Sequence, residues 1–196
     1  MSDLTVRTDI DLNGLDRLLL LAAERAPSRI ARALNRTGSP TQTAYLRTVR
    51  KVLGLRSHPY AKRPIGNVIR RRTSTKKASG GRLVYSLAGF GGGLPAIHYQ
   101  PKEAPAGASI NWLGARRTIG RSFYLGGKFP RRKRSKISHV VWRRIGAGKW
   151  ALDRPEGPGV PEAMAQAAPR TVWEGEAGRR LPKELQTIIG DLLRGY

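Results

Sequence analysis

The hydrophobic period changes twice along this chain, and that constrains its fold more than any other feature. Up to residue 72 apolar residues recur at helical spacing; from about residue 82 to 154 they alternate; beyond that they are helical again. Leu12, Leu15, Leu18, Leu19, Ala22 and Ala23 predict a first amphipathic helix. Pro27 suits the first turn of a second helix, whose apolar side continues through Ile30, Ala33, Leu34 and Thr37. "TGSP" is expected to interrupt or kink it. Ser39 then reads as an N-cap, Pro40 as the first position and Gln42 as the capping-box partner of a third helix. That helix would run to about Leu53 with Ala44, Tyr45, Thr48, Val49 and Val52 on one side, and Gly54 would stop it. Tyr60 to Arg72 predicts a short helix carrying Arg70, Arg71 and Arg72, and "TSTKKASGG" reads as a loop.

Six short segments follow, rich in β-branched and aromatic residues and separated by Gly, Pro or basic turns: "RLVYSLAGF", "LPAIHYQ", "ASINWLG", "RTIGRSFYLGG", "ISHVVWRRI" and "KWALDR". They predict a small, mostly antiparallel β-sheet over 81–154. "GPGVPEAM" is expected to leave the sheet, punctuated by Pro155, Pro158 and Pro161. A C-terminal amphipathic helix over 178–195 carries the stripe Leu181, Leu185, Ile188, Ile189, Leu192 and Leu193, with Pro182 in its first turn and Gly190 weakening it by about 1 kcal/mol. Helices (12–72), strands (81–154), then a helix describe a single α+β domain over 1–196, with terminal helices packed on one face of a sheet.

Charge is distributed as unevenly as period. The 196 residues carry a formal net charge of +24. Between Arg25 and Lys149 stand twenty-nine lysines and arginines and a single acid, Glu103. The other twelve acids lie in the two ends beside eight basic residues. A chain so charged repels itself when compact and is expected to hold a polyanionic neighbour, nucleic acid or an acidic protein surface. The densest run is "KFPRRKRSK", six basic residues in nine, placed as a loop or hairpin tip at 128–136. With no cysteine, disulfides and thiolate metal sites are excluded. No apolar run approaches a membrane span, and the acidic "MSDLTVRTDIDLNG" lacks the order of a signal peptide, so a soluble protein made in the cytoplasm is expected.

Catalytic constellations are hard to assemble from these residues. The cationic middle offers one carboxylate, Glu103, in a Pro- and Ala-rich turn. His98 and His139 fall on predicted strands and His58 elsewhere, with no metal-ligand spacing. "GAGK" at 146–149 lacks both the upstream glycine and the following Ser or Thr of a phosphate-binding loop, and "GFGGGLP" has the wrong order for a dinucleotide fingerprint. Both read as turns. No cofactor is expected. Aromatics interleaved with arginines carry more: Trp112, Phe123, Tyr124, Phe129, Trp142 and Trp150 lie among Arg116, Arg117, Arg121, the 131–134 run, Arg143 and Arg144. Such a mix can stack bases and hold phosphates. Alternatively the aromatics form the sheet core beneath an arginine face, which alternation favours for Phe123, Val141 and Trp150.

Three pieces, taken in order, resemble the minor tail protein Z family of long-tailed bacteriophages. They are the helix pair joined at a proline with "ARALNRTG", then "HVVWRRIGAGKWALDRPEGPGVPEAM", and last "RRLPKELQTIIGDLL". "GGGLPAIHY" fits the early sheet region more loosely. The "TGSP" proline departs from chains that continue a helix there. The resemblance implies a structural virion protein rather than an enzyme. It would act in tail completion at the head-proximal end of the tail, in a ring, expected to be a hexamer, with DNA in its lumen. Implied partners are copies of itself and neck or tail proteins such as the tail terminator, tail tube or tape-measure protein. On that reading Arg70, Arg71, Arg72, Lys128, Arg131, Arg132, Lys133, Arg134, Lys136, Arg143 and Arg144 face DNA or an acidic partner, without reading sequence. Leu181, Leu185, Ile188, Ile189 and Leu192 form a packing or subunit seam. A free basic nucleic-acid-binding protein is the rival reading, although no helix-turn-helix, zinc or RNA-recognition signature is present. A basic nuclease is another.

Overall fold

A computed structural model of the protein describes residues 27–56, 65–148 and 150–193. The helix expected at Leu12 to Ala23 lies outside them. Helix α1, Pro27–Val52, begins where proline fixes a helical φ without losing a needed donor, and stops at Gly54, whose φ of +64° is left-handed. The break expected at "TGSP" does not occur, because the helix runs unbroken through Pro40. A proline inside a helix costs about 3 kcal/mol, and tertiary contacts offset it. A Cβ on Gly38 would fall 2.5 Å from the Tyr85 ring, so glycine lets that ring lie directly on the helix backbone. Gln42 does not cap a new helix. Its amide accepts a hydrogen bond from the Tyr85 hydroxyl and donates one to Thr75 Oγ1 at 2.9 Å.

After α2, Ile65–Arg70, comes β1, Thr73–Lys76, inside the segment expected to be a loop. It pairs antiparallel with β2, Ser86–Gly89, from Thr73↔Gly89 to Lys76↔Ser86. Its polar side chains gave no alternation to read, since none of the four is buried. Strand β3, Gly93–Pro95, passes at once into a 3-10 turn, Ala96–His98, so His98 is not a strand residue. His139 is likewise in a turn. Strands β4, Lys102–Ala104, β5, Gly107–Trp112, and β6, Ala115–Gly120, form a three-stranded meander. Its second turn has positive φ at both central residues, Leu113 and Gly114, the geometry that matches strand twist in a two-residue hairpin. Strands β7, Ser122–Phe123, β8, Trp142–Arg144, and β9, Leu152–Asp153, form a second three-stranded ladder.

"GPGVP" does not leave the sheet directly. Glu156–Gly159 is β10 and pairs antiparallel with β3. Gly157 is required there, because a Cβ would meet the Tyr99 ring at 2.5 Å. Tyr99 is fully buried and its hydroxyl donates to the Pro158 carbonyl. Helix α3, Val160–Met164, follows. Helix α4, Ala167–Leu193, begins well before the predicted start, so Pro182 is interior rather than in the first turn. Trp173, Ala177, Leu181 and Leu185, four residues apart, give the early turns a buried ridge.

The architecture is α+β, with four separate antiparallel ladders in place of the one sheet expected. Helices α1 and α4 lie antiparallel. Ile30, Ala33 and Leu34 cluster with Leu181 and Leu185, while Tyr45 meets Trp173 edge-on at 5.5 Å. Ile188 packs on that cluster and Ile189 is half-buried; the side chain of Leu192 lies outside the described ones. The larger core joins the second half of α1 to Leu87, Leu94, Tyr99, Ala108, Ile110, Val141, Val160 and Trp173. Among the described residues no helix is long and apolar enough to cross a membrane.

Candidate nucleic-acid interface

The basic loop is built from Glu103, the one acid of the cationic middle. Strand β4 presents its carboxylate, whose side chain is 10% exposed. One oxygen accepts the backbone N–H groups of Tyr124 and Leu125, each at 2.8 Å. The other accepts a hydrogen bond from Arg132 Nη1. Gly126 and Lys133 then close the loop's neck with a reciprocal pair of backbone bonds at 2.8 Å. Beyond it Ser138 Oγ accepts the Ser135 N–H at 2.8 Å and the Ser138 N–H returns to the Ser135 carbonyl. The loop is therefore tied at three points before any partner arrives.

Those ties sort the predicted cations. Arg132 points inward: its side chain is 16% exposed and bonded to Glu103, so it is an anchor rather than a contact, against expectation. Its guanidinium also lies 5.8 Å from the Phe123 ring centroid. Lys128, Arg131, Lys133, Arg134 and Lys136 are exposed. Arg143 and Arg144 are exposed on β8, where Arg143 bonds Asp153 across the ladder and Arg144 stands 5.5 Å over Phe123. The Arg143 hydrogen bond holds the Asp153 carboxyl below the usual range, helped by the Arg154 N–H. Arg70 and Arg71 are exposed at the end of α2, while Arg72 is half-buried against Gly91. These three belong to the β1–β2 side of the fold and share no ladder with the loop.

The meander adds a second row. Arg116 is fastened flat, its guanidinium donating to the Gln100 carbonyl at 2.9 Å and to Ser109 Oγ and O at 3.1 Å. Arg117 lies 5.7 Å from the Trp112 ring and Arg154 4.8 Å from the Trp142 ring. Aromatic and guanidinium groups thus cover one another over much of this region. Trp150 is not where the sequence pattern put it. Alternation placed it in the core, but it is 82% exposed at the turn between β8 and β9, where strand alternation does not extend.

Sequence reasoning missed the partner of Glu103 and a cleft of about 480 Å³. The cleft brings His98 and His139 together with Arg154 and Glu156 between apolar walls that include Ile97 and Val141. Forty-one positions separate the two histidines, so no local spacing signalled their meeting. Among the described residues no three His, Cys, Asp or Glu side chains converge as metal ligands would. What the arrangement does best is present fixed positive charge to phosphates. No protein-family model, curated protein or solved structure matches the chain.

Proposed function

We propose that the chain is a structural virion protein of a tailed phage, acting in tail completion at the head-proximal end of the tail as a ring around the DNA channel. One observation supports this reading more than any other: the two sides of the fold carry charge differently. On the ladder side exposed cations stand on tied loops, with Glu103 as the one acid between Arg25 and Lys149. On α4 three of the four acids are matched by nearby arginines, Glu174 by Arg170, Glu176 by Arg179 and Arg180, and Glu184 by Arg36 of α1. A ring subunit needs that division: one surface for a polyanion in the lumen and others for its neighbours. The ordered resemblance of "ARALNRTG", the "HVVWRRIGAGKW" segment and "RRLPKEL" to tail-completion proteins supplies the particular role.

The alternative is a free basic nucleic-acid-binding protein. It is favoured by the loop's ties, which order the cations without help from a ring. Immunogold labelling of purified particles separates the two readings. Gold at the head–tail junction is the expected result. Intact tailed particles lacking the protein would overturn the tail reading in favour of the free binder.

A further inference from the structure

We infer that the groove between α1 and α4 is a binding site for a phosphate group, separate from the cations of the ladder side. Arg36, Arg179, Arg180, Lys183 and Glu184 line this groove, which encloses about 180 Å³. The inference does not depend on the tail reading.

Four of the five lining residues come from "RRLPKEL", a stretch whose leucines alone have been accounted for so far. Leu181 and Leu185 are buried in the cluster that also holds Leu34 of α1. Helical spacing sets 179 above 183 and 180 above 184, so these four charged side chains gather along the rim of that seam. Arg36 joins them from α1, two positions after Leu34. Carboxylates hold the cations in place. Glu176 Oε2 accepts hydrogen bonds from Arg179 Nη2 at 2.9 Å and from Arg180 Nε at 2.7 Å, so one oxygen draws two guanidinium groups together. Glu184 Oε2 lies 3.7 Å from Arg36 Nη1 and links the two helices.

Charge and size select the occupant. Four cations against Glu176 and Glu184 leave a formal excess of two positive charges. Like charges drawn this close repel one another unless an anion lies among them. Every side chain lining the groove is charged, so a nucleobase, a lipid chain or an apolar peptide side chain would gain little there. The volume is also below the roughly 300 Å³ at which pockets for whole small molecules begin. Three of the four cations are arginines, whose planar forks match an oxyanion with paired hydrogen bonds. Glu176 engages Arg179 through Nη2 and Arg180 through Nε, which leaves their other nitrogens for a ligand. A doubly charged phosphate balances the excess, whereas a single carboxylate leaves one charge over. An anion so placed touches both helices and clamps the seam beneath it.

The test titrates the full chain with inorganic phosphate through the millimolar range, against chloride at equal ionic strength, read by phosphorus NMR and by the thermal midpoint. Saturable binding is expected, with a midpoint that rises as the site fills. The general stabilisation by phosphate as a kosmotrope does not saturate and is common to every variant. Arg180→Gln and Lys183→Gln should each weaken phosphate binding roughly 2- to 5-fold, as for part-exposed charge pairs, and about 10-fold together. Unchanged midpoints in chloride would show that the fold is intact. Changing Lys128, Arg131, Lys133, Arg134 and Lys136 to Gln should leave phosphate affinity within about 2-fold, because Coulombic effects are screened beyond about a Debye length. In that loop variant, displacement of phosphate by a short DNA duplex would support a nucleic-acid backbone as the source, and no displacement would support a free phosphate. An equal phosphate response in wild type and the Arg180→Gln/Lys183→Gln variant would overturn the site. Loss of phosphate binding in the loop variant would also overturn it, assigning the phosphate to the ladder side. Binding of an oligo-glutamate peptide without binding of phosphate would overturn it in favour of an acidic protein segment.

Discussion

The α1–α4 seam and the ladder side of this protein are held together by different means. The seam is apolar at both ends: Ile30, Leu34, Leu181 and Leu185 form one cluster, and Tyr45 and Trp173 join the larger core at the other end. The ladder side has strands of two to six residues in four separate ladders, and it is joined by side chains reaching backbone groups: Glu103 to Tyr124 and Leu125, Gln100 to Gly54, Asn35 to Ala78, Tyr99 to Pro158. Burial makes the first region stable without specifying much about its surface. Polar ties let the second keep a dense positive charge in fixed positions, where a larger apolar core would have had no room for so many cations. The difference teaches that the charge-bearing loops here are ordered by a few hydrogen bonds each, and that single substitutions should act very differently in the two places.

The largest effect is expected in the seam. Leu185→Asp puts a carboxylate into the cluster with Leu34 and Leu181, and should cost more than the about 2–5 kcal/mol of a Leu→Ala truncation. Circular dichroism should show loss of cooperative unfolding. A normally folded, assembling variant would mean that the seam is not buried. Next comes Gly157→Ala, which drives a methyl into the Tyr99 ring. It should destabilise by about 1–3 kcal/mol in a denaturant titration. No change would show that Tyr99 moves aside freely.

Glu103→Ala should act locally instead. It removes the acceptor for two amides and the partner of Arg132, at a cost of about 2 kcal/mol on the ladder side. Hydrogen exchange at the Tyr124 and Leu125 amides should rise sharply while the seam amides stay protected. A uniform rise across both regions would erase the contrast drawn above. The smallest effect concerns acid pH. The Arg143 hydrogen bond depresses the Asp153 carboxyl in the folded protein, so its contribution is present above the ordinary value of 3.8 and fades as pH falls through the lower folded value. An NMR titration should place the Asp153 midpoint below 3.8, and Arg143→Gln should return it toward that value.

Much of the helical layer was legible, because apolar spacing reports burial directly. Pro27, Gly54 and the Leu181–Leu185 stripe stand where the pattern put them. Errors arose where a residue serves a distant partner. Gly38 and Pro40 look like a helix break, yet Gly38 makes room for Tyr85, forty-seven positions away. The "GPG" segment looks like an exit, yet Gly157 makes room for Tyr99. β1 was missed because half-exposed threonines and a lysine carry no apolar period. In the candidate interface the loop itself was plain from its charge. Its internal order was not, since nothing near Glu103 in sequence shows that its carboxylate reaches Tyr124, Leu125 and Arg132. Trp150 was misplaced because alternation was carried across a turn.

The central claim is that the ladder side meets a polyanion through cations held in place by the fold. It is tested most directly by the salt dependence of duplex DNA binding for the wild type and for a variant with Lys128, Arg131, Lys133, Arg134 and Lys136 changed to Gln. If all five side chains meet phosphates, the slope of log K against log salt should flatten by about 4.5, with the thermal midpoint unchanged. An unchanged slope would contradict the account, because the exposed cations of the loop would then be facing something other than phosphate.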